Sequence, residues 1–331
     1  MSPVRIGVLG AAKIADRSSV PAMQATDGLE VVGVAARSAS RAAEFAARHD
    51  IRSYESYTDV IDDPSVDAVY VPLPVGLHFE WSLAALRAGK HVLCEKSLAG
   101  SYEDCLTLIE EARARELVLF ENFMCERHPQ NQFIRDAIAD GEIGEIRHAS
   151  LSFGFPPFPR EDLRNSAELQ GGALNDAGAY CLDMAAFYLG AQPSAVTATL
   201  SNADYDVDVI GAAFLEFDGG ATAAASFGFL HDYRNEARFW GSAGQIDIDR
   251  AYSIPADRPP QVTITRNTAS ERVDPAAPHQ FALQMARFRD AVRDGDGNAE
   301  LINRERHART MEAARISAAE HRRVVVEEVG A

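Results

Sequence analysis

Two side chains that could move a proton lie four residues apart in the segment NDAGAY, which begins at Asn175. Asp176 and Tyr180 are spaced i, i+4, so a helix would carry both on one face. The preceding LQGG gives a flexible approach, and the following CLDMAAFYLG is apolar. A carboxylate and a phenol placed there could serve general acid–base chemistry. They could equally be a first-turn carboxylate favoured by the helix dipole and a half-buried core tyrosine, and the residues alone leave both interpretations open.

A lysine is the third reactive candidate. Lys96, with Glu95 before it, stands at the carboxyl end of the predicted strand in GKHVLCEKS. Sheets of the α/β type bind ligands at the carboxyl ends of their strands. Although a single lysine is more often a solvated surface residue, this position favours a place in the ligand crevice.

The elements that must position these groups change in type along the chain. Up to about Glu121, apolar strand-like runs such as RIGVL, LEVVGVAA and DAVYVPL alternate with helical patterns. This rhythm predicts an α/β domain of the Rossmann type, a doubly wound parallel sheet with helices on both faces. Strand-like segments then dominate, among them VIGAAFLEF, ATAAASFGF and QVTITR. Consecutive strands with short turns predict an α+β domain with a large, mostly antiparallel open sheet.

We therefore expect two domains in the 331-residue chain, which is too long for one ordinary core. Residues 1–122 would form the dinucleotide-binding domain, and residues 123–331 the domain for substrate binding and oligomerisation. The C-terminal helical segment could pack back on the first domain.

The turn after the first strand carries a nucleotide-binding pattern. The residues GAAKIA match GxGxxG with alanine at the second and third glycines. The first glycine permits a tight strand-to-helix turn, and small residues let a pyrophosphate approach the helix N-terminus. The pattern is weak alone, but its place in a βαβ unit favours dinucleotide binding. The predicted contacts are Gly10, Ala11, Ala12, Lys13 and Ile14.

The end of the second strand distinguishes the two nicotinamide cofactors. An NAD site places Asp or Glu there to bind the ribose hydroxyl, whereas this strand ends in VAARSASR without an acid. An arginine fork and a serine hydroxyl suit a 2′-phosphate, although an arginine can also be merely solvated at a strand end. The sequence predicts NADP(H), held through Ala36, Arg37, Ser38 and Arg41.

Two later loops are expected to reach the same cofactor. Prolines fix the loop after DAVYVPL at the carboxyl end of its strand, and His78 starts the next helix. The predicted contacts from the two loops are Leu73, Pro74, His78, Glu95 and Lys96.

Composition excludes several classes of protein. A formal net charge of −17 argues against a nucleic-acid partner, and any anionic ligand must be held by a local cluster of cations. The apolar runs are too short for a membrane span, and MSPVRIGVLG lacks the layout of a signal peptide. The four cysteines have no metal-ligand spacing, so we expect no metal site and reduced thiols in a cytoplasmic protein.

Several motifs together resemble the Gfo/Idh/MocA oxidoreductases, which include glucose–fructose oxidoreductase and inositol dehydrogenase. They are the Gly10 turn, VYVPLPVGLH, AGKHVLCEKSLA, ENFMCERHPQ and LQGGALNDAGAYCLD, in the family's order over residues 4–190. The combination of PLP, NFM and HPQ is most similar to NADPH-dependent sugar 3-ketoreductases acting on nucleotide-activated deoxysugars. A nearby branch, similar to dihydrodiol and D-xylose dehydrogenases, shares FM and HPQ.

The resemblance implies roles for the reactive residues, because the family places its acid–base residue, His or Tyr, at the position of Tyr180. Hydride addition to a ketone builds negative charge on the carbonyl oxygen, which a neutral donor must stabilise and protonate. A phenol, with an ordinary pKa of about 10, needs a nearby cation to favour its phenolate. We therefore expect Tyr180 to donate the proton, Lys96 to be its electrostatic partner, and Asp176 to orient Lys96 or a substrate hydroxyl.

Other polar residues are candidates for substrate binding beside these three. A nucleotide-linked sugar carries a diphosphate that an arginine could bind, although Arg164 is also typical of a surface arginine. His231, Tyr233 and Arg234 are weaker candidates for the base and phosphates. The main substrate-binding candidates are Asn122, His128, Gln130, Arg164 and Asn165.

Two positions depart from the family pattern. The usual EKP is EKS here, and because a cis bond before a residue other than proline costs about 2.5–4 kcal/mol, the sequence leaves both a cis and a trans Lys96–Ser97 bond open. The usual TPN-type loop is Leu73-Pro74-Val75, which removes a polar contact to the cofactor.

The sequence thus predicts an NADPH-dependent reductase of a nucleotide-linked keto-sugar. One alternative is an NADP-dependent dehydrogenase of a free sugar or a trans-dihydrodiol, and another is a non-catalytic NADP-binding sensor. The expected partners are a carbohydrate substrate and further copies of the chain. A homodimer or homotetramer is expected because a broad sheet with one uncovered face tends to be buried against a symmetry mate.

Overall fold

The computed structural model describes residues 2–255, 261–276 and 279–330. The chain divides into two compact units. The first contains the residues up to Met124 together with Phe281–Glu305, and the second contains Cys125–Gln280 together with the residues from Arg306 onward.

The first unit is built on a six-stranded sheet whose neighbouring strands are all parallel. Its strands are β1 (Val4–Leu9), β2 (Leu29–Ala35), β3 (Arg52–Ser53), β4 (Ala68–Val71), β5 (His91–Cys94) and β6 (Leu119–Glu121). Their order is β3-β2-β1-β4-β5-β6, which confirms the predicted Rossmann sheet. Because the chain crosses from β3 to β4 past β1, the order reverses beside β1, and a ligand crevice is expected at the carboxyl ends there.

Helices connect these strands, and their starts follow local sequence rules. Ser56 and Asp59 form a capping box at the start of one helix, and the Ser101 hydroxyl accepts the Asp104 N–H at the start of another. A π-helical turn, Ala15–Ser19, leads into the helix that follows β1. The connecting helices are α1 (Val20–Gln24), α2 (Ala39–His49), α3 (Tyr57–Asp62), α4 (Val75–Arg87) and α5 (Tyr102–Ala114).

The second unit is built on a nine-stranded sheet. Its strands are β7 (Ile146–Gly154), β8 (Pro193–Ser201), β9 (Ile210–Phe217), β10 (Thr222–Gly228), β11 (Arg234–Gly241), β12 (Gly244–Ile248), β13 (Val262–Arg266), β14 (Ala269–Val273) and β15 (Val324–Val325). They lie in the order β14-β13-β12-β11-β7-β10-β9-β8-β15, with β7 and β10 parallel and the other neighbours antiparallel. The predicted α+β domain with a mostly antiparallel sheet is confirmed.

Residue alternation separates the two faces of this second sheet. On β7, Ala149, Leu151 and Phe153 are buried, whereas Ser150 is exposed. Helix α7 packs against β7 and β10, and α6 packs against α7. The remaining helices, in chain order, are α6 (Pro129–Ala139), α7 (Ala179–Leu189), α8 (Gln280–Asp294) and α9 (Asn298–Glu320).

Within the described ranges, no helix is both long enough and apolar enough to cross a membrane.

Candidate active site

The Gly10 turn has the geometry of a phosphate-binding turn. Gly10 has a φ of +126° and donates its N–H to the Ala35 carbonyl at 2.8 Å. A Cβ at this position would lie 2.9 Å from Leu73 Cδ2, so glycine suits both the backbone and the space. Helical residues begin at Lys13, and their first-turn N–H groups lack acceptors within the helix. The turn can therefore accept an anion.

The residues that follow β2 place positive charge beside this turn. Arg41 donates from Nη2 to the Ala11 carbonyl at 3.1 Å, and both Arg37 and Arg41 are exposed. The Ser38 and Ser40 hydroxyl oxygens are 2.9 Å apart. No carboxylate stands between residues 36 and 41, so this corner fits a phosphate better than it fits a bare ribose hydroxyl.

His78 joins two loops of the first unit. It is fully buried, with Nε2 2.7 Å from the Leu73 carbonyl oxygen and Nδ1 2.7 Å from the Ser97 carbonyl oxygen. Burial lowers the pKa of His78, as does the Lys96 charge, while the two carbonyls act in the opposite sense. Both ring nitrogens are thus engaged with backbone, and direct contact of His78 with the cofactor stays a prediction.

Glu95 organises the residues behind Lys96. Its Oε1 accepts hydrogen bonds from the Tyr70 hydroxyl at 2.6 Å and from Asn122 Nδ2 at 2.7 Å. Burial raises the pKa of Glu95, whereas these two donors and the Lys96 charge lower it. The Lys96–Ser97 peptide bond, which the sequence left open, is cis.

Asp208 fixes the start of the helix that carries Asp176 and Tyr180. Its Oδ2 accepts the Leu174 N–H at 2.7 Å, and its carbonyl accepts the Ala173 N–H at 2.7 Å. The helix begins as a π-helical turn, Leu174–Gly178, that continues into α7. The predicted helix is present, but its first turn is of the type often found at functional sites.

Tyr180, on α7, packs against the face of the second sheet that carries the buried side chain of Phe153. Its side chain is buried, and its ring packs edge-on against Phe153 with the centroids 5.4 Å apart. The Tyr252 ring lies 5.9 Å away. Packing on both sides limits the positions available to the phenol, as a proton donor requires.

The structure brings two of the predicted substrate residues together. Arg164 donates from Nε to Asp176 Oδ2 at 2.9 Å and from Nη1 to Asp162 Oδ1 at 3.1 Å. Its guanidinium carbon lies 4.7 Å from the centroid of the Phe158 ring. Burial opposes the Arg164 charge, but the two carboxylates outweigh it, so its pKa is raised. Asp176 is therefore both a residue of the first helical turn and the ion-pair partner of Arg164.

Four other predicted substrate residues are buried and hydrogen-bonded within their own units. His128 Nδ1 accepts the Gln130 N–H at 3.1 Å, and burial lowers the pKa of His128 to about 4. Gln130 Nε2 donates to the Arg250 carbonyl at 2.7 Å. Asn165 and Asn122 each donate through their amide, and each leaves an Oδ1 without a hydrogen-bond partner among the described residues. Their contacts with substrate stay predictions.

The weaker nucleotide candidates line an open cavity of the second unit. His231, Tyr233 and Arg234 surround about 610 Å³ of space together with Ser152 and Phe153. The Tyr233 ring lies 5.8 Å from the Phe155 ring, which lies 4.7 Å from the Phe153 ring that contacts Tyr180. Contacts of these three residues with substrate stay predictions. Across the described ranges, no group of three or more His, Cys, Asp or Glu residues could hold a metal ion.

Sequence reasoning missed the residues that support the site from behind. Tyr70 lies in an apolar strand, and Asp208 lies 34 positions after Leu174. Glu121 ends the apolar run LVLFE, and an acid at that position was a usable signal of a buried polar contact.

Comparisons with known proteins match both parts of the chain to one family. The model for the "Oxidoreductase family, NAD-binding Rossmann fold" of the Gfo/Idh/MocA proteins matches residues 4–123, and the "GFO/IDH/MocA C-terminal domain" matches residues 131–247. A protein of Actinomadura kijaniata named dTDP-3,4-didehydro-2,6-dideoxy-alpha-D-glucose 3-reductase is 42% identical over 296 residues, 89% of either chain. D-xylose 1-dehydrogenase (NADP(+)) 2 of Haloferax volcanii is 31% identical over 88% of this chain and 89% of its own.

A solved structure is similar over almost the whole chain. KijD10, a 3-ketoreductase from Actinomadura kijaniata in complex with NADP and TDP-benzene, superposes with a TM-score of 0.93 at 40% identity. The match covers 96% of this chain and 98% of that one.

Proposed function

The chain belongs to the Gfo/Idh/MocA oxidoreductase family, and we propose that it uses NADPH to reduce the keto group of a nucleotide-linked sugar. A dTDP-3-keto-deoxysugar is the substrate class. The observation that carries this proposal is the similarity to 3-ketoreductases along 96% of the chain. The D-xylose dehydrogenase is less similar, at 31% identity against 42%, so oxidation of a free sugar is the second candidate.

The residues of the first unit fit NADPH. The Gly10 turn and the helix that begins at Lys13 would hold the pyrophosphate, and Arg37 and Arg41 would hold the 2′-phosphate. When bound, the reduced nicotinamide supplies the hydride. The protein's own contribution is then to bind the substrate, stabilise the charge on its oxygen and deliver a proton.

Three side chains carry that contribution in our proposal. Tyr180 donates its phenolic proton to the carbonyl oxygen as the hydride reaches the carbon. Lys96 stabilises the phenolate that remains and the developing oxyanion. Asp176 orients Lys96 or a substrate hydroxyl, and its partner Arg164 is the candidate for the substrate diphosphate.

The four cysteines are buried thiols, and we infer a cytoplasmic location, where thiols stay reduced. Immunoblotting of fractionated cells tests this location, and recovery in an oxidising compartment would contradict it.

The assay of the proposed reaction follows NADPH absorbance with a dTDP-3-keto-sugar. We expect consumption of NADPH with this substrate and little reduction of NADP⁺ with free pentoses or trans-dihydrodiols. The opposite preference would support the dehydrogenase. Tight binding of NADPH without turnover on any of these substrates would indicate a sensor.

The catalytic roles predict the kinetics of two variants. Tyr180→Phe and Lys96→Ala should each lower kcat at least about tenfold, because each removes a group that acts on the developing charge. The Kd for NADPH, measured by fluorescence, should change little for Tyr180→Phe. Near-wild-type turnover in both variants would refute the assignment.

The cofactor assignment predicts a selective loss of affinity. Arg37→Ala and Arg41→Ala should each raise the Kd for NADPH about tenfold or more, since a hydrogen bond to a charged group contributes about 1.5–3 kcal/mol. The Kd for NADH should stay close to its wild-type value. Arg48→Ala is the matched control, because Arg48 lies on α2 with Arg41 but pairs with Asp16 at 3.1 Å. Equal losses for both cofactors would contradict the assignment.

We also propose that the outer face of the second sheet joins copies of the chain in a homodimer or homotetramer. Trp240 on β11 and Phe214 on β9 are 67% and 42% exposed on this face. In the row of paired residues that contains Phe214, the next two strands present the small side chains of Ala224 and Ser150, which would let a second sheet approach closely. Two large apolar side chains on one sheet face favour burial against a self-complementary surface.

The proposed interface predicts that two lysines introduced on this face dissociate the oligomer. Phe214→Lys combined with Trp240→Lys should lower the molar mass measured by light scattering to that of one chain, since both lysines would be buried without partners. Ile302→Lys is the control, because Ile302 is 43% exposed on α9 and belongs to the first unit. An unchanged mass in the double variant would exclude this face as the interface.

A further inference from the structure

The loop that carries Lys96 is held through its backbone by two buried side chains. The Ser97 carbonyl oxygen lies 2.7 Å from His78 Nδ1. The next N–H, that of Leu98, donates to Glu121 Oε1 at 2.6 Å. His78 and Glu121 are 0% and 1% exposed, so water does not compete for either contact.

Glu121 divides its two carboxylate oxygens between this loop and a helix of the same unit. Oε2 lies 3.2 Å from Arg304 Nη1, and Arg304 is 2% exposed. The guanidinium is also 3.4 Å from Glu300 Oε1 and stacks 5.0 Å from the Phe123 ring. The Glu121 carbonyl accepts the Gln284 side-chain amide at 3.0 Å. Both the side chain and the backbone of Glu121 are therefore fixed.

A buried ion pair in this position contributes little net free energy to folding, because both charges lose their hydration. Removing two charges from water costs several kcal/mol per ion, and well-packed apolar residues often serve stability as well or better. The Leu98 amide supplies a reason for the carboxylate, because an apolar side chain would leave that buried N–H without an acceptor. The charge makes the bond to Leu98 stronger than one to a neutral acceptor.

We propose that Glu121, held by Arg304, is a positioning residue that sets the place of Lys96 through the Leu98 amide. This inference rests on the proposed function in one respect, namely the role of Lys96 in turnover. The contact itself can be tested without any turnover.

Glutamine cannot replace Glu121 without loss. Its amide has a single oxygen, and Arg304 presents a charged donor that would take it. The NH₂ group would then face the Leu98 N–H, donor against donor. The loop would lose its anchor even though the side chain keeps its size.

Protonation of Glu121 would loosen the same contact. Burial raises the pKa of Glu121 to about 7, while Arg304 and the Leu98 amide act in the opposite sense. The other titratable groups facing it are Glu300 on α9, Cys105 on α5 and Cys94 on β5. Because Arg304 keeps Oε2 as its acceptor, the proton would go to Oε1, and the resulting hydroxyl is a weaker acceptor for the Leu98 N–H. Turnover should therefore fall as the pH drops through about 7, and Glu121→Gln should lack this limb.

The main experiment compares Glu121→Gln with Glu300→Gln. Each removes one negative charge beside Arg304, and Glu121 is the residue that accepts the Leu98 N–H of the loop. We expect Glu121→Gln to lower kcat about 10- to 100-fold with little change in the Kd for NADPH, as for a misplaced catalytic group. Hydrogen exchange at the Leu98 amide, followed by mass spectrometry, should be faster in Glu121→Gln and unchanged in Glu300→Gln. Wild-type exchange at Leu98 in Glu121→Gln would overturn the inference.

A Lys96→Ala background separates this inference from the proposed function. If Lys96→Ala lowers turnover and adding Glu121→Gln lowers it no further, Glu121 acts through Lys96. If the two losses multiply, Glu121 acts elsewhere and the inference fails while the function stands. If Lys96→Ala turns over normally, the proposed role of Lys96 fails, and the exchange measurement still reports on the loop.

The triple variant Glu121→Gln/Glu300→Gln/Arg304→Met covers the case in which Glu121→Gln does not fold. Glu300 is 4% exposed and pairs with Arg304, so its charge is removed together with the cation. Without the cation, the Gln amide oxygen at position 121 can return to the Leu98 N–H, and methionine fills the space of the arginine stem. We expect this variant to fold, with Leu98 exchange close to that of the wild type and kcat higher than in Glu121→Gln. A folded triple variant with rapid exchange at Leu98 would contradict the inference.

Discussion

The parallel direction of the first sheet is the constraint on which the rest of the candidate site depends. Parallel strands end at one edge, so short segments far apart in the chain become neighbours without any long-range sequence pattern. The residues that follow β1, β2, β4 and β5 reach this edge in strand order. Among the predicted contacts these are Gly10, Ala36, Leu73 and Glu95. The cofactor proposal needs no feature beyond this edge and the cations placed on it.

The sequence was sufficient to predict the features that follow from the spacing of apolar residues along helices and strands. Alternation of strand and helix patterns predicted the parallel sheet, and runs of strands predicted the mostly antiparallel one. Within β7, the buried Leu151 and Phe153 alternate with Ser150 and Ser152, so one strand already specifies which face is the core.

The sequence was insufficient for side-chain contacts between residues far apart in the chain. Glu121 and Arg304 are 183 positions apart, and no spacing rule connects them. Asp208 meets Leu174 only because a loop returns to the helix start. The π-helical turn, Leu174–Gly178, likewise has no apolar period that would set it apart from an α-helix. Such contacts depend on the finished packing, which short-range patterns do not encode.

A net charge of −17 opposes, on average, the binding of a cofactor and a substrate that both carry phosphates. Distance resolves the conflict. At physiological ionic strength, charges beyond about 8 Å are largely screened, whereas an arginine in contact with a phosphate is screened much less. The chain therefore needs only a few cations in the right places, and Arg37 and Arg41 beside the Gly10 turn meet that need for the cofactor. Arg164 differs, because it already pairs with Asp176 and Asp162 and would have to exchange part of that pairing for a substrate phosphate. Binding of the substrate should thus be coupled to the position of Asp176, whereas binding of the cofactor should not.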